Sequence, residues 1–181
     1  MITEQREDWL RQRKSGLGGS DIAAIAGLNP YRTAFDVYCD KLSLVPPVEE
    51  TRRMRLGREI EPVILAEWER DRGRAVKQNH EIFRHPKKPF LLATPDALAS
   101  GDGHPPVGVE AKLVISMNQR SRWGEAGTDM VPEEYLCQAA YYAAIVSASS
   151  GIEADHWEIV ALFGDDIRIF PIERNADLEG E

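Results

Sequence analysis

Helical patterning dominates the first part of the chain. Apolar positions predict a helix from Thr3 to Arg13. Gly16-Leu17-Gly18-Gly19 then reads as a flexible loop, and Ser20-Asp21 opens a short helix from Ile22 to Ala26. Asn29-Pro30-Tyr31 marks a turn. The next helix runs from Thr33 to Leu42, with Phe35, Val37, Tyr38 and Leu42 as its apolar contacts, and Pro46-Pro47 begins a loop. A long helical stretch follows from about Thr51 to Asp71 and ends near Gly73. Pro62 lies inside it. Proline has no amide N–H and its ring crowds the preceding turn, so a break or a fresh first turn is expected near Glu59. Beyond it Val63, Ile64, Leu65 and Trp68 make a stripe at helical spacing.

The pattern then shifts toward strands. Glu81 to Arg84, Phe90 to Leu98 and Val107 to Val114 fit that period, with Gly101-Asp102-Gly103 as the turn between the last two. Pro132 starts a helix from Glu133 to Ser147, with Leu136, Ala139, Ala140, Ala143 and Val146 on one face. Asp155 to Phe163 and Ile167 to Ile172 form a hairpin around Gly164-Asp165-Asp166. The order predicts an α/β fold, a mixed sheet with helices packed on it. A chain of 181 residues suits one domain covering 1–181.

Composition adds limits. The apolar share of 43% and charged share of 29% are those of a soluble globular protein. No apolar run approaches the roughly 20 residues of a membrane span, and the first residues lack a signal-peptide layout. A cytoplasmic protein without a membrane partner is expected. Cys39 and Cys137 stand far apart, which predicts free thiols and is too few for a four-cysteine iron–sulfur cluster. The net charge of −8 weighs against a nucleic-acid partner, but its distribution changes that. Residues 149–181 hold nine acids and two bases, so the rest of the chain is almost balanced. Bases also bunch, at Arg11, Arg13 and Lys14, at Arg52, Arg53, Arg55 and Arg58, and at Arg70, Arg72, Arg74 and Lys77. Local patches decide whether a phosphate backbone is welcome. Solvated helix faces are the plainer reading of any single cluster.

Three positions carry candidate chemistry. Asp96 in Thr94-Pro95-Asp96-Ala97 precedes Glu110-Ala111-Lys112 by fourteen residues. Side chains two apart on a strand share a face, so Glu110 and Lys112 stand side by side. With Asp96 on the neighbouring strand, two carboxylates and an ammonium meet. Carboxylates suit a hard cation such as magnesium, and a lysine beside them can meet phosphate. That set is equipped for metal-assisted hydrolysis of a phosphodiester. Val107, Val109, Leu113 and Val114 make the strand apolar, where unpaired charge is costly unless used. Near the N-terminus, Gly16, Gly18 and Gly19 let backbone N–H groups approach a ligand, Ser20 adds a hydroxyl and Arg13 a cation. The alternative is that Ser20 or Asp21 simply caps a helix.

Four blocks in order resemble the lambda-exonuclease-type, YqaJ-like viral recombinase family of the PD-(D/E)xK nuclease superfamily. They are Gly18-Gly19-Ser20-Asp21-Ile22 with Asn29-Pro30-Tyr31; Gly57-Arg58-Glu59-Ile60-Glu61-Pro62; Thr94-Pro95-Asp96-Ala97-Leu98 with Glu110-Ala111-Lys112; and Tyr135-Leu136-Cys137-Gln138-Ala139-Ala140-Tyr141. The resemblance covers about Arg13 to Ile172 and implies a restriction-endonuclease-like mixed β-sheet core flanked by helices. By it, Glu61, Asp96 and Glu110 are metal ligands, joined by the backbone carbonyl of Ala111. Lys112 is the catalytic lysine, and Gln138 matches the glutamine of the fourth block. Where relatives often carry a second glutamine, this chain has Ala140. Ser20 and Arg13 fall where relatives hold the 5′-phosphate of a DNA end.

The resemblance further implies a magnesium-dependent 5′→3′ exonuclease on linear double-stranded DNA. Two ions are expected, with manganese able to substitute. The product would be a 3′ single-stranded tail for a single-strand annealing protein, in the cytoplasm of a bacterial host and in a phage or prophage setting. A homotrimer is the implied oligomer. Two alternatives remain: an endonuclease or repair nuclease of the RecB or Cas4 type on the same core, and an inactive relative that only binds DNA or a partner.

Overall fold

The computed structural model describes residues 4–101, 103–152 and 156–173. The expected helix start at Thr3, the turn residue Asp102, the strand start at Asp155 and residues 174–181 of the expected domain lie outside them. Four helices come first: α1 (Glu4–Lys14), α2 (Gly19–Ile25), α3 (Ala34–Lys41) and α4 (Arg52–Arg72). Then come β1 (Lys77–Gln78), β2 (Phe83–Arg84), β3 (Leu92–Ala93), β4 (Ala97–Ala99) and β5 (Val107–Leu113). The short α5 (Met117–Arg120), the long α6 (Glu133–Ser150), β6 (His156–Phe163) and β7 (Asp166–Glu173) complete the order.

The main sheet has five strands in the order β1-β4-β5-β6-β7. Only β5 and β6 are parallel in it; the other pairs are antiparallel. A parallel pair needs a long crossover, which α6 supplies. Alternation along the central strands sends residues to two faces. Val107, Val109 and Val160 pack with Ile64, Leu65 and Trp68 of α4. Trp157, Ile159, Ala161 and Phe170 pack with Tyr142, Ala143 and Val146 of α6. The sheet is therefore a layer between two helices, and Glu110 and Lys112 project toward the α6 side. Gly108 makes this face possible, because a Cβ there would stand 2.4 Å from the Trp157 ring on the paired strand.

Several expectations change. Pro62 does not break α4, which runs unbroken for 21 residues from its cap at Thr51 to Gly73, a left-handed residue with φ 61°. Burial of Ile64, Leu65 and Trp68 against the sheet outweighs the lost hydrogen bond. The expected strand from Phe90 to Leu98 is two strands. Pro95, which has no N–H for a ladder, turns the chain between them. The turn is pinned by Asn79, whose N–H donates to Asp96 O (2.8 Å) and whose side-chain amide donates to Pro95 O (3.1 Å). β3 pairs with β2 in a separate two-stranded sheet, and β4 joins the main one. α2 begins at Gly19 behind an N-cap at Gly18, one residue ahead of Ser20. On α3 the buried side chains are Val37 and Cys39, while Phe35, Tyr38 and Leu42 are exposed. Leu136, expected on the buried face of α6, is also exposed. β1 and α5 have too few residues to show a period.

Candidate active site

Asp96 stands just before β4, and Glu110 and Lys112 on β5. The antiparallel β4–β5 register brings the two strands side by side. The Ala111 N–H donates to Asp96 Oδ2 (2.9 Å), which ties the turn to β5. Glu110 is only 3% exposed, and its Oε1 accepts from Lys112 Nζ (2.7 Å) and Gln138 Nε2 (2.6 Å). Lys112 Nζ also reaches Gln138 Oε1 at 3.5 Å. Gln138 thus answers both charges from α6. Glu61 comes from α4, with its Oε1 accepting from Gln78 Nε2 (3.1 Å) on β1.

Electrostatics follow this crowding. Burial pushes the Asp96 carboxyl well above its ordinary range, and the neighbouring Glu110 carboxylate adds to the rise. Glu61 is raised for the same two reasons, against a hydrogen bond from Gln78. Burial works against the charge on Lys112, but Glu110 and Asp96 outweigh it and hold the amine more firmly protonated than usual. Its Nζ also lies 4.9 Å from the centre of the Tyr135 ring, a cation–π contact.

Glu61, Asp96, Glu110, Lys112 and Gln138 all line one cleft of about 1110 Å³. A smaller branch of about 400 Å³ shares Met54, Glu61, Asp96, Glu110, Lys112 and Tyr135 with it. Among the described residues, no three Asp, Glu, His or Cys side chains close into a ready metal-holding group. The donor set nevertheless fits a hard cation. It is oxygen-only, and Glu110 Oε2 is buried with no hydrogen-bond partner. Such an atom is costly unless something meets it. Magnesium keeps several of its waters, so a few protein oxygens suffice.

Ser20 and Arg13 line the same cleft. Ser20 is exposed, and it is not the helix cap. That role belongs to Gly18, whose N–H donates to Asp21 Oδ2 (2.9 Å). Asp21 is a buried hub, paired with Arg32 (2.6 Å) and Lys41 (2.7 Å). Burial raises its pKa, but the Lys41 and Gly18 hydrogen bonds and both cations bring it below the ordinary value. The Arg13 guanidinium lies 4.7 Å from the centre of the Trp9 ring. Sequence reasoning missed Tyr135, Gln78 and Trp9 at the cleft. Tyr135 could have been found one helical turn before Gln138; nothing in the sequence marked Gln78.

A family model, the YqaJ-like viral recombinase domain, matches residues 8–152. The chain belongs to that family. The YqaJ-like chain is 31% identical over 142 residues to the uncharacterized protein YqaJ of Bacillus subtilis (strain 168). That match takes in 78% of this chain but spans only 42% of the relative's length. In fold, this YqaJ-like domain is similar to an alkaline exonuclease, LHK-Exo, from Laribacter hongkongensis. The TM-score is 0.67 at 21% identity, over 96% of this chain and 85% of that one. LHK-Exo in complex with dAMP gives 0.69 at 18% identity, over the same shares. A phage-related exonuclease from Haemophilus somnus 129PT gives 0.61 at 15% identity, over 90% and 86%. The expected restriction-endonuclease-like core, a mixed sheet flanked by helices, is the observed fold.

Proposed function

We propose that the protein is a metal-dependent nuclease, a 5′→3′ exonuclease acting on the ends of linear double-stranded DNA. The observation that carries this reading is the buried, unpartnered Oε2 of Glu110. It stands in a cleft with Asp96, Glu61 and a lysine ammonium. The resemblance of the four sequence blocks and the family membership support it.

In this reading Glu61, Asp96, Glu110 and the Ala111 carbonyl hold magnesium, two ions in all. Magnesium held there would supply Lewis-acid chemistry, lowering the pKa of water and offsetting charge on the leaving 3′ oxygen. The chain's own residues do the rest. Glu110 Oε1 and Gln138 fix the Lys112 ammonium. That cation orients the attacked phosphate and offsets the charge that develops on it. The Ala111 N–H holds Asp96 in place, so the carboxylate does not have to reorganise during the reaction. Arg13 and Ser20, on the wall of the same cleft, hold the 5′-phosphate of the terminal nucleotide. A homotrimer and a single-strand annealing protein as partner belong to the same proposal, as does a phage or prophage setting. The exposed apolar side chains Tyr31, Phe35, Tyr38 and Leu42 offer a surface that such an assembly would cover.

The deciding experiment is digestion of linear duplex DNA labelled at one 5′ or one 3′ end, beside closed circular DNA, with magnesium or with EDTA. Mononucleotide release from the 5′ label, only from linear DNA and only with magnesium, is expected. Nicking of the circle would replace the exonuclease reading with an endonuclease. DNA binding without any cleavage would leave a binding protein.

A further inference from the structure

Two positions on α4 are explained neither by the fold nor by the chemistry above. The first is Gly57. It sits inside a 21-residue helix, where glycine is less stable than alanine. Its φ is not among the positive ones, so no turn demands it. A Cβ built there would meet nothing within 4 Å, so no neighbour demands it either. Its effect is to leave the helix backbone bare on the wall of the smaller cleft branch.

The second is Arg53, one helical turn earlier and on the same branch. Its side chain is exposed. Three of the other five α4 arginines have carboxylate partners: Arg58 pairs with Glu50, Arg70 with Glu67 and Arg72 with Glu158. Among the described residues Arg53 has none. Arg52 and Arg55 also pair with no carboxylate among the described residues, but neither lines the branch. A cation in the first turn of a helix also runs against the helix dipole, so Arg53 does not serve the helix.

We propose that Arg53 and Gly57 form a track for the sugar–phosphate backbone of the bound strand beyond the cleaved linkage, with Arg53 paired to one of its phosphates. This rests on the DNA-cleaving reading above. The two branches meet at Glu61, Asp96, Glu110 and Lys112. The larger one holds Arg13 and Ser20. A strand whose terminal phosphate lies there, and whose first linkage lies over the carboxylates, continues along the smaller branch. Bare backbone at Gly57 lets the sugar approach α4 closely. The planar guanidinium of Arg53 suits two-point contact with phosphate oxygens.

The test is binding of a fluorescent 5′-phosphorylated duplex, followed by anisotropy over a salt series. Calcium replaces magnesium, and intact substrate is verified on a gel. Arg53→Gln is expected to reduce the slope of log affinity against log salt by about one. Arg52→Gln removes the same charge from a position about 100° round the helix and should keep the wild-type slope. Gly57→Leu should weaken binding about tenfold without changing the slope. Its melting temperature should be no lower than wild type, because leucine is the better helix former. An unchanged slope in Arg53→Gln, or an equal drop in Arg52→Gln, overturns the track, and so does wild-type affinity in Gly57→Leu. Arg53→Gln decides the matter if Gly57→Leu does not fold. Wild-type protein that binds no DNA overturns the nuclease reading and the track together.

Discussion

At the residue scale, most of the chemistry gathers on one carboxylate. Glu110 receives both Lys112 and Gln138 on Oε1 and leaves Oε2 with nothing. Under the proposed mechanism Lys112→Ala removes the cation that meets developing charge. Cleavage of linear duplex should fall by about 10²–10³; circular dichroism should stay close to wild type, while metal-free melting falls because Glu110 loses its buried partner. Full activity in that variant would sink the site assignment. Asp96→Asn tests a different property. The carboxylate is raised by burial and by Glu110, so its charged form strains the folded protein. The amide keeps an acceptor for the Ala111 N–H and carries no charge. Without metal, Asp96→Asn should therefore melt higher than wild type, on the order of 1 kcal/mol; with magnesium it should show no cleavage. A lower melting temperature would show that Asp96 is mainly structural. Glu110 and Lys112 were legible in the sequence, because two-residue spacing on an apolar strand leaves both charges on one face. The place of Tyr135 one turn before Gln138 was legible too, but its cation–π contact with Lys112 was not, because that depends on how α6 lies against β5.

At the element scale, α4 and the α2–α6 contact show what periodicity cannot settle. Pro62 reads as a break, yet α4 continues through it because both ends are capped and its buried stripe is anchored on the sheet. Pro62→Ala restores an amide donor in mid-helix. It should raise stability by about 1–3 kcal/mol, measured by chemical denaturation; no change would show that the helix already bends to accommodate the ring. Gly19 is a second case. A Cβ there would lie 2.7 Å from Gln138 Cγ and 2.7 Å from the Tyr142 ring, so α2 and α6 touch almost backbone to side chain. Gly19→Ala must push these side chains, and should cost about 1–3 kcal/mol together with activity, since Gln138 holds Glu110. Activity retained at reduced stability would separate Gln138 from the reaction. The glycine block in the sequence suggested a ligand loop. In the structure part of it is a packing requirement.

At the scale of the whole molecule, buried carboxylates make stability depend on pH in two opposite directions. Asp96 and Glu61 have raised pKa values, so the folded state binds more protons than the unfolded one. Their contribution to stability is therefore greatest below their ordinary values of 3.8 and 4.5, and is lost as pH rises through the raised folded values. Asp21 acts in the opposite direction. Its lowered pKa gives stability at neutral pH that disappears as pH falls through the folded value. A cation bound by the deprotonated carboxylates should thus raise the melting temperature most at neutral pH. That increment should shrink on acidification, before the Asp21 hub is lost. Scanning fluorimetry with magnesium and with EDTA across pH would show it. An increment independent of pH would place the metal away from Asp96 and Glu61.

The sequence by itself determined the order of the longer elements, the helical N-terminal part, the strand that carries Glu110 and Lys112, and the four blocks that carry the family. These are local properties: period, caps, turn residues and spacing along one strand. Tertiary structure alone decided the break at Pro95, the unbroken α4 and the separate β2–β3 sheet. It also brought Gln78, Tyr135 and Trp9 to the cleft. Each of these depends on packing between parts of the chain far apart in sequence, where burial outweighs the weak local preferences that a sequence displays.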